Sequence, residues 1–372
     1  MRVLALLFAT CLVAVANAQT NELTILKKNA ATPVKNQAQT GTCWCFSTTS
    51  LVESECIRKG APEPDLSEMF TVRNIYMEKA LNYIRRQGSA RFDEGGLGHD
   101  VIHAMATYGI MPESAYSGLI NGRTQHNHSQ LVTELRNYLD SLLKTKRPIP
   151  DNWQDRVTAL LDQYLGKPPA TFTYNGRNYT PLTFAKEVVK FNPDDYAYFT
   201  SFSHHPYYQP FIIEVPDNFS NGAYYNVPLN ELIQLTKTAL KNGYTVMWDA
   251  DVSNGGWAAG RGYALSPAAG ASAGSNGFDP DRPEEKVTQE YRQRLYEELV
   301  TQDDHLMHIT GLAKSKTGKE FFMVKNSWGT GGPFEGYVNV SEPYFAINTI
   351  TIIVPKAALD KSFKDKLALA TK

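Results

Sequence analysis

The chain has 372 residues, 42% of them apolar, with 37 basic against 38 acidic side chains and a formal net charge of −1. That balance excludes the strongly basic surface that nucleic acid or an anionic membrane would require, and the apolar fraction suffices for a substantial core in one large domain or two.

Residues 1–18, "MRVLALLFATCLVAVANA", carry one basic residue, an apolar run from Val3 to Val15 and a small-x-small end at Ala16-Asn17-Ala18. This is the pattern of a cleaved secretory signal, and the run is short against the roughly 20 residues a spanning helix needs. The expected mature chain begins at Gln19, is secreted or periplasmic, and has no membrane partner once the signal is removed. Loss of Arg2 takes its formal charge to −2. Cys11 leaves with the signal, so Cys43, Cys45 and Cys56 remain, an odd number that points to a free thiol.

Residues 19–35 are polar and expected to be extended. Gly41-Thr42 makes a turn and a helix follows, on which Cys45, Thr49, Val52 and Cys56 share one stripe. Cys45 and Cys56 then lie roughly 16 Å apart along the axis, beyond disulfide reach. Cys43 opens that helix, where the positive end of the dipole and a nearby imidazolium can lower a thiol pKa to about 3.5–7.5. Cys45, about 200° further round, faces the opposite way. Cys43 is therefore the candidate nucleophile and Cys45 a core residue. Cys-x-Cys lacks the spacing of a thiol–disulfide motif, and a zinc site would need further ligands nearby; no metal and no cofactor is expected.

After the "APEPD" loop, "LSEMFTVRNIYMEKALNYIRR" reads as a helix through Leu66, Phe70, Ile75 and Leu81 with a charged outer face. "EGGLGHD" interrupts it, and "VIHAMATYGI" starts another helix. From about 120 to 192 the pattern is amphipathic: Leu131, Leu135, Leu139 and Leu142, then Val157, Leu160, Leu161, Tyr164 and Leu165, then a short helix capped by Thr180 with Pro181 at its first position. This stretch reads as a helical insertion. Beyond 240 come β-rich segments, "YTVMWDADV", "HLMHITGLA", "KEFFMVKNSW", "GYVNV" and "NTITIIVP", with the small-residue loop "GASAGSNG" and a charged helix near 284–300 between them. The order, helical then β-rich, suits an α+β enzyme with its site between two halves. Asp249 and Asp251 of "WDADV" are expected to shape a turn beside the cleft. His99, His103, His126, His128, His204 and His205 are expected in surface or packing roles.

Gln37, five residues, then Cys43-Trp44 resembles the nucleophile segment of papain-like cysteine peptidases. "DDHLMHITGLAKSKTGKEFFMVKNSWG" resembles the second signature of that family, a histidine opening a strand followed by Asn-Ser-Trp-Gly. The resemblance implies a two-lobe α+β fold, a helical left lobe and an antiparallel β-barrel-like right lobe. It also implies Cys43 as nucleophile, His305 as general base, Asn326 as the residue that fixes its ring, and Gln37 as oxyanion donor. Trp328 would shield the histidine–asparagine hydrogen bond and border the substrate, and Gly95 and Gly96 would pair with the substrate backbone. His308, three residues after His305, points to the opposite strand face and is expected to pack behind the sheet.

His305 follows Cys43 by 262 residues, and residues 19–42 leave no room for an inhibitory prodomain. Both traits, with "WDADV" and "HLMHITG", resemble the bleomycin hydrolase and aminopeptidase C branch. That branch implies one peptidase domain over 19–372 with its helical insertion, peptide substrates with free amino termini, and frequently a homo-hexamer. Its members are usually cytosolic and have a longer tail than residues 355–372, where Leu359, Phe363 and Leu367 suggest a short helix. The alternatives are an endopeptidase with an open cleft and a catalytically dead binding protein.

Overall fold

The computed structural model describes residues 23–61, 64–266 and 279–367. The expected signal, the loop at 270–277 and the last five residues lie outside the described residues.

Strand β1 (Thr24–Lys28) leads into helix α1 (Cys43–Arg58), whose residues from Cys43 to Cys56 are all buried. A helix buried all round must be covered on every side. Helices α2 (Glu68–Arg85) and α3 (Gly98–Tyr108) pack on one side of α1 and the sheet on the other. Ser67 caps α2, its hydroxyl accepting from Phe70 N–H at 3.1 Å. The insertion supplies α4 (Ser129–Lys144) and α5 (Trp153–Leu165), which bury the two apolar stripes read from the sequence. Their leucines belong to the same apolar cluster as Trp44, Cys45 and Met105.

The insertion is not purely helical. Strands β2 (Phe172–Tyr174) and β3 (Arg177–Tyr179) form a hairpin closed by Asn175-Gly176, both at positive φ, the turn that matches strand twist. Helix α6 (Pro181–Phe184) follows, with Thr180 at its cap and Pro181 at its first position as expected.

Strands β4 (Tyr196–Thr200), β5 (Pro210–Ile212) and β6 (Ala223–Asn226) and helix α7 (Leu229–Lys241) come next, in a stretch where the sequence suggested no elements. The remaining elements are β7 (Val246–Ala250), β8 (Trp257–Ala258), β9 (Tyr263–Ala264), α8 (Gln289–Glu297), β10 (His305–Lys314), β11 (Glu320–Lys325), β12 (Tyr337–Ser341), α9 (Glu342–Asn348), β13 (Thr349–Pro355) and α10 (Lys361–Lys366). Apart from β2 and β3, the described strands form one mainly antiparallel sheet, running along an open path β5-β6-β4-β13-β7-β10-β11-β12-β9-β8, with β1 also beside β10.

Alternation along the central strands separates two cores. Met247, Leu306 and Ile353 face α1, whereas Val246, Trp248, Met307, Ile309, Ile352 and Val354 face a second cluster with α7. The charged helix α8 buries Arg292 and Gln293: the Arg292 guanidinium donates to the carbonyls of Ser201, Ala346, Ile347 and Thr349, fastening β4 to the α9–β13 corner. The tail forms the expected short helix α10. Leu359 and Leu367 are buried in the second cluster, Phe363 packs on Phe199, and Lys366 meets Glu231 of α7 at 3.1 Å.

Candidate active site

Cys43 is the first residue of α1, and its backbone N–H is among the orphan donors of a helix start. Its Sγ accepts from the backbone N–H of Leu306, the residue after His305, so the thiol lies where α1 meets the start of β10. Cys45 points into the core, fully buried, its Sγ 3.3 Å from the Glu68 carbonyl. Cys43, Cys45 and Cys56 are all free and buried.

His305 Nε2 lies 2.7 Å from Asn326 Oδ1, and the same Oδ1 accepts from Ser327 N–H at 2.7 Å. A backbone N–H can only donate, so this second bond determines which way the Asn326 amide faces. Nε2 of His305 must then carry the proton, and Nδ1 is the basic nitrogen. Trp328, 45% exposed, stacks on the His305 ring with centroids 4.6 Å apart. Its indole is thus the outer cover of the His305–Asn326 pair.

Gln37 is buried and held at three points. Its N–H donates to Ser327 O at 2.8 Å, Nε2 donates to Thr40 O at 2.6 Å, and Oε1 accepts from Ser327 Oγ at 2.6 Å. Nε2 keeps a second N–H. Ser327 therefore joins the glutamine to the asparagine, a link the Asn-Ser-Trp signature contained without revealing its partner.

Removal from water pushes the Cys43 thiol up to about 12, with Asp303 and Asp249 adding to the effect, and pushes His305 down to about 4 against its bond to Asn326. Each shift disfavours an isolated charge. Proton transfer from sulfur to Nδ1 makes two opposite charges together, which offset each other's burial while the α1 N-terminus favours the thiolate.

Gly95 and Gly96 line a cavity of about 370 Å³ with Cys43, Trp44 and Leu306. A Cβ on Gly96 would stand 3.1 Å from the Trp44 ring, and one on Gly95 would stand 2.0 Å from Asp217 Oδ2. Lys79 of α2, read from the sequence as part of a charged outer face, is instead buried; its Nζ donates to the Asp93 and Gly95 carbonyls and holds the glycine wall. Trp328 and Asn326 border a second cavity of about 240 Å³.

His308 lies behind the site, buried, with Nδ1 2.9 Å from Ser50 Oγ. Asp251 shapes the turn after β7 as expected, accepting from Ser253 N–H at 2.8 Å and Gln302 N–H at 2.9 Å. Asp249 differs from expectation: it is wholly buried and meets the carboxyl of Asp303. Asp217, Asp303 and Lys79 had no sequence signal, because each acquires its role from a distant segment.

Among the described residues, His204, His205 and Glu214 bring ligand atoms together in a way that could hold a metal ion. The hydrogen bonds argue otherwise. Gln293 Oε1 accepts from Ser203 N–H, so its Nε2 donates to His204 Nδ1 at 2.9 Å. Nε2 of His204 then carries a proton toward Glu214, 2.7 Å away, and offers no lone pair.

The profile of the peptidase C1-like family matches residues 7–371. Aminopeptidase G of Lactobacillus delbrueckii subsp. lactis is 25% identical over 381 residues, covering 90% of this chain and 83% of its own. Bleomycin hydrolase of Mus musculus is 24% identical over 378 residues, covering 87% of this chain and 80% of its own. The crystal structure of PepW from Lactobacillus rhamnosis HN001 aligns with a TM-score of 0.68 at 21% identity, over 93% of this chain and 84% of that one. That likeness shows a shared fold.

Proposed function

The chain belongs to the peptidase C1-like family and is a cysteine peptidase of papain-like fold, and from that premise we propose a thiol aminopeptidase that uses Cys43, His305, Asn326 and Gln37. The observation that carries the assignment is the 2.7 Å bond from His305 Nε2 to an Asn326 oxygen whose orientation Ser327 determines. It leaves Nδ1 as the base for a thiol placed at the same junction of α1 and β10.

Cys43 Sγ attacks the scissile carbonyl and its proton passes to His305 Nδ1. The oxyanion forms beside the Cys43 N–H and the second N–H of Gln37 Nε2, donors oriented before reaction. His305 gives its proton to the leaving amine, a thioester remains on Cys43, and His305 then deprotonates the water that hydrolyses it. Asn326 keeps the ring in register through both steps, and Trp328 limits water at the Nε2 side.

The names of the relatives, aminopeptidase G and bleomycin hydrolase, support exopeptidase action, as does the acid-lined cavity next to Cys43, which suits the ammonium end of a peptide and repels the carboxylate end. Cys43→Ala is expected to lower kcat/KM on an alanyl anilide by on the order of 10⁴-fold or more, while Cys45→Ala retains activity within a few-fold. Full activity in Cys43→Ala would sink the assignment.

A further inference from the structure

The cavity beside Cys43 is lined by Asp93, Glu94, Asp217, Asp303 and Asp304, with Arg91 as its one lining cation. Some of these acids are spoken for. Arg91 Nε holds Asp93, and Glu94 Oε2 accepts from Gly41 N–H at 2.6 Å. Asp304 Oδ2 accepts from Val252 N–H at 3.2 Å.

Asp217 and Asp303 are different, and a third acid lies behind them. Asp217 sits on the loop between β5 and β6, which brings Oδ2 directly over the Cα of Gly95. Its Oδ1 is 3.4 Å from Arg91 Nη1 and makes no hydrogen bond to the protein. Asp249, in β7, is fully buried. Its Oδ2 accepts from Thr351 Oγ1 at 3.0 Å, while Oδ1 meets no protein donor. What Asp249 does face is the carboxyl of Asp303, a contact that requires one of the two acids to keep a proton. A buried pair of carboxyls that must keep a proton to coexist, one of them lining the cavity beside the nucleophile, is a site where a ligand cation can take the place of that proton.

We infer that Asp217, Asp303 and the buried Asp249 form the receptor for a substrate ammonium group, the free α-amino group of the residue whose carbonyl Cys43 attacks. The inference rests on the aminopeptidase reading above and names the residues that make it selective. An ammonium in this pocket has three donors; Asp303 and Asp217, which line the cavity, supply acceptors, and Asp249 adds negative charge from behind Asp303. Asp217 also stands against Gly95, on the wall where a preceding residue of a longer substrate would run. The loop therefore does two things at once: it attracts a free amino terminus and obstructs a chain that continues past it. The described part of the tail, by contrast, docks on α7 and β4, against the core cluster on the opposite face of the sheet from Asp249.

The same chemistry would accept a lysine side chain from a longer peptide, and the substrates of the test separate the two sources. kcat/KM is measured on alanyl p-nitroanilide and on its N-acetyl, N-acetyl-lysyl and N-acetyl-norleucyl derivatives, for wild type, Asp217→Asn, Asp303→Asn and Asp217→Glu. The expected result is a loss on the free amine of on the order of tenfold to a hundredfold in both Asn variants, mostly in KM, with partial recovery in Asp217→Glu and no matching loss on the norleucyl derivative. A loss confined to the lysyl derivative overturns the α-amino assignment. An unchanged ratio of ammonium-bearing to norleucyl substrates in both Asn variants overturns the pocket. A wild-type enzyme that prefers the norleucyl derivative to the free amine overturns the aminopeptidase reading instead, whatever the variants do. A near-UV circular dichroism spectrum and a urea midpoint close to those of the wild type verify that each variant is folded.

Discussion

Two groups of buried acids face α1, one around Glu53 and one around Cys43, and the fold treats them in opposite ways. Around Glu53, Lys35 reaches Glu68 at 2.8 Å and Glu53 at 3.5 Å, and Glu53 also accepts from Leu66 N–H at 2.9 Å and from Thr32. Burial opposes the Lys35 charge, yet Glu68 and Glu53 more than outweigh it and raise its pKa; burial also pushes Glu68 up to about 7, against the pull of Lys35. Around Cys43, burial raises Asp303 to about 7 and holds Asp249 well above the ordinary aspartate range, each made worse by another carboxyl, and Arg91 opposes the shift of Asp303 without bonding to it. The first group carries its own counter-charge and is part of the architecture. The second has Arg91, which pairs with Asp93 and Asp217 and not with Asp303 or Asp249, and this is the arrangement expected where a ligand supplies the missing charge.

The largest expected effect tests the compensated group. Lys35→Met strands Glu53 and Glu68 without their cation and should lower unfolding stability by about 3 kcal/mol or more, read from urea melts. Asp249→Asn should instead be neutral or stabilising, since it removes a repulsion. Equal losses in the two variants would erase the distinction between the groups.

A smaller effect is expected in the pH dependence. Because the folded pKa of Asp303 is raised to about 7 from the ordinary aspartate range, the folded state holds more protons than the unfolded state between about pH 4 and pH 7. The contribution of this group to stability is therefore greatest below about pH 4 and lost as pH rises toward 7. Asp303→Asn should make the slope of unfolding free energy against pH less negative in that window, by up to about 1.4 kcal/mol per pH unit. Contributions from His305, whose folded pKa is lowered, have the opposite sign but cancel in the difference between variant and wild type. A slope unchanged by the substitution would mean that Asp303 is charged throughout.

The smallest effect belongs to Asp217. Its ion pair with Arg91 is partly solvated, so Asp217→Asn should change stability by less than about 1 kcal/mol. A loss of several kcal/mol would move Asp217 from the functional group of acids into the architectural one.

The two halves of the site differ in how much of them could be read in advance. Gln37, Cys43, His305, Asn326 and Trp328 lie within two short segments, and residue type and spacing there were enough to select them. The leucine stripes of α4 and α5 and the strands β7, β10, β11, β12 and β13 were legible for the same reason, since a buried face repeats within one window. The β2–β3 hairpin has a local signal too, Asn175-Gly176, inside a stretch whose pattern is otherwise helical. Strands β4, β5 and β6 were not, because all three are short, β4 is buried with little alternation and β5 and β6 are partly exposed; β4 forms by pairing with β13, β6 by pairing with β4 and β5 by pairing with β6.

What the sequence by itself determined is the local chemistry: a thiol at a helix start with its neighbour Cys45 turned into the core, a histidine at a strand start with His308 on the other face, and an asparagine in a second β-rich segment. Two residues on a helix or three on a strand set which way a side chain points, whatever the rest of the chain does. Only the tertiary structure decided what charges surround that chemistry. Lys79 is buried under the glycine wall, Asp217 lies on Gly95, and Asp249 faces Asp303, and each pairing joins elements that the chain brings together from separate stretches. Periodicity reports which face of an element is dry. Whether a dry carboxyl finds a cation or another carboxyl depends on which segment packs against it, and so only the folded chain distinguishes Glu53 with its lysine from Asp249 with none.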